Sequence, residues 1–170
     1  EVFHGLHVSP DLDTVMYTLA GLVNQQTGWG LAGDTFNVRK MLGDYGAETW
    51  FGLGDHDLAT HIERTRLLAK GFSLTEVTRH LCLKLQILAS LVPMSDQPVR
   101  TIVETSDGTL SFQQYFVKLQ CQPVVRNITF EGADAASMST SFKDALDTGQ
   151  AVIFCPSNPI VSIGPILAIR

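Results

Sequence analysis

Trp50–His61 reads WFGLGDHDLATH. Two aromatics lead into Gly52-Leu53-Gly54, and Asp55 then opens a run in which Leu58, Ile62 and Leu68 recur at helical spacing. The stretch reads as a strand entering a loop that ends at a helix start, and α/β folds bind their ligands at such strand ends. Two other stretches share this make-up of turn residues, short polar groups and apolar flanks: SPDLDT at Ser9–Thr14 and PSNPIVSIGPIL at Pro156–Leu167.

Around them the chain alternates. Ser9 and Pro10 start a helix, as N-cap and first helical residue, with Leu12, Val15, Met16, Leu19 and Val23 at helical spacing. After a Gly-rich break (GWGLAG), Asp34 caps a second helix running through Phe36 and Leu42 to Gly46. Asp55 begins the third, which stops near Gly71, and Ser73 with Glu76 forms a capping box for the fourth. RTIVETSDGTLSFQQYFVKLQ predicts two strands around Asp107-Gly108, and VVRNITFEG a third. A short helix at 141–146 leads to AVIFC, read as a buried strand that ends in Cys155. The prediction is one α/β domain: a helical region at about 9–92, a β-rich region at about 99–132 and a return to a parallel sheet at about 151–170.

Composition narrows the function. With 170 residues, 45% hydrophobic and 17% charged, the chain can build a sizeable core and is not disordered. A net charge of −5 gives no support to a nucleic-acid surface, and no apolar run has the length of a membrane span. Three cysteines without a CxxC predict neither a disulfide framework nor a zinc ribbon, which suits a reducing, cytoplasmic setting.

Each candidate motif has a structural and a chemical reading. Asp11 and Asp13 in a first helical turn suit the positive end of the helix dipole, or they hold Mg²⁺. Trp50 and Phe51 are read as core aromatics, while Gly52 and Gly54 let backbone approach a flat ring. His56 and His61 are five apart, which does not place them on one helical face, so a zinc site is not expected. Arg64 either reaches a phosphate or sits on a solvated helix face, and the solvated face is the preferred reading. Ser157 and Asn158 either make a structural turn or present polar groups to a phosphate. Gly28, Gly30 and Gly33 match G-x-G-x-x-G, but a helix precedes them and none opens directly after, so a nicotinamide dinucleotide site is not expected.

SPDLDT, WFGLGD and PSNPIVSIGPIL, in this order, resemble the 2-phospho-L-lactate transferase family (CofD/FbiA) of coenzyme F420 biosynthesis, along nearly the whole chain. PMSDQP at Pro93–Pro98 resembles it too, with Gln97 where that family usually has an acid. The resemblance implies a Rossmann-like three-layer fold with a mostly parallel sheet and an inserted hairpin and helical region. It also implies that the chain is incomplete at both ends, lacking the family's N-terminal Gly-rich loop and its C-terminal part, and is inactive in isolation. The implied reaction moves a phospholactyl or phosphoenolpyruvyl group from a guanosine diphosphate-linked donor to the deazaflavin Fo, releasing GMP, with Mg²⁺ as cofactor. The implied site has Asp13 as catalytic residue, and Asp13, Thr14, Gly52, Leu53, Gly54 and Asp55 at Fo. Ser157, Asn158 and Pro159 lie at the donor, and Asp11, Asp13 and Asp34 at the metal. The other reading is a non-catalytic regulatory protein of the same frame that binds a nucleotide sugar. Oligomeric state, a homodimer included, is left open.

Overall fold

Helix α1 (Pro10–Leu19) starts where Ser9 and Pro10 place it, and ends before Gly21, whose φ of +70° breaks the helical path. The computed structural model describes residues 1–169 and divides into two units, Glu1–Val92 and a second from Pro93 onward. In the first unit, strands β1 (Val2–Phe3) and β2 (Leu6–His7) form a tight antiparallel hairpin. Its turn, His4-Gly5, has positive φ at both residues, as a type I′ turn requires. No local signal announced this hairpin, because His is not a usual first residue of such a turn.

Three more helices follow: α2 (Asn37–Asp44), α3 (Asp55–Ala69) and α4 (Leu74–Lys84). Both bonds of the Ser73–Glu76 capping box form, at 3.2 and 2.8 Å. Met16, Tyr17, Cys82 and Ile87 make the hydrophobic cluster, with Ala20, Val23, Leu31 and Leu81 packed on it. Burying each large side chain contributes roughly 1.5–3 kcal/mol. The buried face of α1 is therefore Asp13-Met16-Tyr17, whereas Val15 and Leu19, expected in the core, are exposed. Both faces of α1 carry apolar groups, and the one that also offers a carboxylate to a buried cation is the one turned inward.

GWGLAG is a connection between α1 and α2, with Gly28, Gly30 and Gly33 all at positive φ and a bridge from Val23 to Leu31. It follows a helix and opens none directly, so the dinucleotide reading of these glycines has no structural context.

The second unit holds the antiparallel sheet β4-β3-β5: β3 (Arg100–Thr105), β4 (Gly108–Ser111) and β5 (Val125–Glu131). The expected hairpin forms, with its turn one residue earlier than Asp107-Gly108: Ser106 and Asp107 make the turn, and Gly108, paired to Thr105, begins β4. Val103, opposite Leu110 and Ile128, is buried. The strand expected beyond Ser111 is instead a π-helical turn, Gln114–Lys118, where Phe116 stacks on Phe112 at 5.4 Å. Helix α5 (Thr140–Thr148) is capped by Ser139. A second π-helical turn (Pro159–Ile163) runs into α6 (Gly164–Leu167).

The buried strand expected at AVIFC is absent. Residues 151–155 have no ladder partner among the described residues, and Val152, Ile153, Phe154 and Cys155 are exposed. A strand needs a neighbour for its backbone groups, and apolar content alone does not supply one. All sheet pairings among the described residues are antiparallel, so the fold is mixed α/β without a parallel sheet in these elements.

Candidate functional site

The WFGLGD loop and the start of α3 are locked by two carboxylates that exchange helices. Asp34 accepts from the amides of His56 and Asp57, at 2.8 and 3.1 Å, and so caps α3. Asp55 accepts from the amides of Asn37 and Val38, both at 3.0 Å, and so caps α2. Asp55 also takes the Thr35 hydroxyl at 2.5 Å, and its own amide donates to Thr35 O at 2.7 Å. The Thr35 hydroxyl and the Val38 and Asn37 donors hold the Asp55 carboxyl down at about 2. The sequence pattern assigns Asp34 to the cap of α2 and Asp55 to the first turn of α3. Asp34 does not cap α2; it reaches past α2 to α3.

Gly54 is required by this lock. A Cβ there would stand 2.0 Å from Asp34 Oδ2. Leu53 and Gly54 are buried and Gly52 is half-buried, with an Arg39 Nη1 3.6 Å from where its Cβ would be. Trp50 and Phe51 pack edge-on against each other and against Phe3, at 5.2–5.7 Å, as core aromatics do. Beside them Phe3, Arg39, Phe51, Leu53 and Leu58 line a recess of about 250 Å³, open mouth included.

One turn into α3, a buried polar network joins α3 to α1. The Tyr17 hydroxyl donates to Asp57 Oδ1 at 2.6 Å and lies 2.8 Å from Thr60 Oγ1. His61 Nε2 is 3.3 Å from Asp57 Oδ1, and His61 Nδ1 is 3.8 Å from Asp13 Oδ2. Arg64 donates to both Asp13 oxygens, Nη1 to Oδ2 at 3.1 Å and Nη2 to Oδ1. Asp13, His61 and Arg64 are 4, 1 and 1% exposed. Burial pushes the Tyr17 hydroxyl up, helped by Asp57 and Asp13. Burial also opposes ionisation of Asp57, but His61, Tyr17 and Arg64 outweigh it and its carboxyl is lowered.

Arg64 is thus not on a solvated face, since Asp13 lies far away in sequence and no local pattern reveals the pairing. The Asp57–His61 spacing of four was a usable signal for one link. Asp13, Gly52, Leu53, Gly54 and Asp55 fall in one unit, Asp13 against Arg64 on α3 and the others in the loop that opens that helix, and Thr14 is half-buried on α1.

Asp11, Asp13 and Asp34 do not form a cation site. No cluster of three His, Cys, Asp or Glu suited to a metal occurs among the described residues. Asp13 is engaged by Arg64 and Asp34 by amides, while Asp11, beside Asp13 in the first turn of α1, is exposed. Asp13 and Asp34 fit their protein partners rather than a shared divalent ion.

Ser157, Asn158 and Pro159 lie in the second unit and are exposed. Asn158 Oδ1 accepts from Ile160 N and Val161 N, at 2.9 and 3.1 Å, capping the π-helical turn behind Pro159. In the PMSDQP stretch, Gln97 Oε1 accepts from Ser137 N at 3.2 Å, a role an acid could also fill.

A family model described as 2-phospho-L-lactate transferase CofD matches residues 2–170. The phosphoenolpyruvate transferase of Streptomyces griseus is 46% identical over 97% of this chain and 54% of its own length. That of Thermobifida fusca is 45% identical over 97% of this chain and 53% of its own. The chain spans about half the length of the curated relatives it matches. A UPF0052 family protein of Bacillus halodurans has a similar fold, with a TM-score of 0.58 at 13% identity, over 91% of this chain and 46% of that one. No described helix is long and apolar enough to cross a membrane.

Proposed function

The chain belongs to the 2-phospho-L-lactate transferase CofD family, and from that premise we propose that it forms the acceptor-binding part of a transferase acting in coenzyme F420 biosynthesis. The acceptor is the deazaflavin Fo, and the group moved is a phosphorylated acyl group on a guanosine diphosphate-linked donor. Phosphoenolpyruvyl is the first choice, because the similar proteins are phosphoenolpyruvate transferases. The observation that carries the reading is the match along residues 2–170.

In the proposed step a ribityl hydroxyl of Fo attacks the donor's distal phosphorus. A new O–P bond forms as the hydroxyl proton passes to solvent, the bond to the GMP oxygen breaks, and GMP leaves with that electron pair. The protein's part in such a transfer is positioning and charge stabilisation. Asp13 accepts a hydrogen bond from the hydroxyl through lone pairs that Arg64 leaves unused. The loop at Gly52–Asp55, rigid through the exchanged caps, backs the ring. Ser157, Asn158 and Pro159 are proposed for the donor side. Magnesium belongs to this proposal as a diphosphate-binding ion, but no step is assigned to it, because two of the three expected carboxylates, Asp13 and Asp34, have protein partners.

A mostly parallel, Rossmann-like sheet that takes residues 151–155 as a strand is the corresponding fold proposal for the complete protein. It is supported by the exposed apolar run Val152–Phe154. The test is a fluorescence titration of Fo into the folded protein beside Asp13→Ala. Saturable binding that weakens at least tenfold in the variant is expected, the loss of one hydrogen bond to a charged group being of about that size. Binding of a nucleotide sugar but not of Fo would instead favour the regulatory reading.

A further inference from the structure

We propose that Arg64 is a positioning residue for the acceptor hydroxyl, acting through Asp13, and that His61 holds it in place. This rests on the deazaflavin reading above. Arg64 donates through Nη1 and Nη2 to the two oxygens of Asp13 and through Nη1 to His7 O at 3.4 Å. A guanidinium bound in this two-pronged way fixes the plane of a carboxylate, which a lysine point charge does not. The remaining lone pairs of Asp13 then point in one set of directions.

His61 fixes the fork in turn. Arg64 Nη1 is 3.2 Å from His61 Nδ1. Arginine only donates, so in this contact Nδ1 accepts, and a neutral His61 ring then carries its proton on Nε2, which lies 3.3 Å from Asp57 Oδ1. Tyr17 donates to that same Asp57 oxygen. The contacts from Tyr17 to Asp57, His61, Arg64 and Asp13 thus form one connected network between α1 and α3.

Stability alone does not account for this arrangement. Arg64 Nε is buried with no hydrogen-bond partner, and His61 Nε2 faces Asp57 without a well-directed bond. A buried ion pair with unmet donors is often no more stabilising than apolar residues of the same size. Its use beside the residue proposed to hold the reacting hydroxyl points to orientation of that group.

The experiment measures the affinities of Fo and of the same deazaflavin ring without its polyol chain, for wild type, D13N, R64K and D13N/R64K of the full chain. Circular dichroism establishes that each is folded. Wild type is expected to prefer Fo about tenfold or more, the size of one lost charged hydrogen bond. R64K, which keeps the charge but not the fork, and D13N should both lose most of that preference. The double variant should be no worse than D13N, because Arg64 acts through Asp13. A folded R64K that keeps the full preference, or losses that multiply in the double variant, would overturn the role of Arg64 alone. If R64K does not fold, R64Q and H61N carry the same comparison. No Fo binding by folded wild type would overturn the deazaflavin reading and this role with it.

Discussion

Replacing Gly54 by alanine tests the lock at the head of α3. Gly54 has φ −73° and ψ 163°, a conformation alanine adopts freely, so backbone strain plays no part. The added Cβ would stand 2.0 Å from Asp34 Oδ2 and 2.4 Å from its Cγ. The carboxylate must swing away, releasing the amides of His56 and Asp57. Those two bonds are the helix cap, whose loss costs about 0.5–2 kcal/mol. G54A should therefore lose about 0.5–2 kcal/mol, read as a drop in Tm of a few degrees by circular dichroism. In a D34A background the obstructing carboxylate is gone. There G54A should be neutral or slightly stabilising, since alanine reduces unfolded-state entropy by about 0.4–1 kcal/mol. Equal destabilisation in both backgrounds would refute the assignment of Asp34 as the group that Gly54 accommodates.

Two further outcomes follow from the same region. Asp55, held near 2 when folded against an ordinary 3.8, contributes stability above about pH 4 that is lost as pH falls toward 2; D55N should flatten that acid limb in a pH series of thermal melts, and an unchanged limb would count against the exchanged caps. Y17F removes the donor to Asp57 from a buried site and should cost about 1–2 kcal/mol in denaturant unfolding, with no loss if the Tyr17–Asp57 bond does not form in solution.

Local chemistry was readable wherever the answer was local. Ser73 and Glu76 cap α4 three residues apart, Thr105 and Gly108 close a two-residue turn, and Asp55 marks the first residue of α3. The helical spacing of α3 was equally plain. What failed involved partners distant in sequence. Asp34 and Asp55 both looked like caps, but which helix each would cap depends on how α2 folds back. Arg64 looked solvated because a charge is read as polar until its partner is known, and that partner is Asp13 on another helix. AVIFC looked buried because its residues are apolar, whereas burial also requires a surface to cover them. The candidate site was legible as a set of motifs, and the network that connects them was not.

The exchanged caps also govern how this region opens. Each helix start is held by an acid lying next to the other's first turn, so fraying one end withdraws the group that secures its counterpart. Independent fraying, the usual behaviour of helix termini, is suppressed here. The amides of Asn37, Val38, His56 and Asp57 belong to a single opening event, and the loop between the helices stays closed or gives way as one piece.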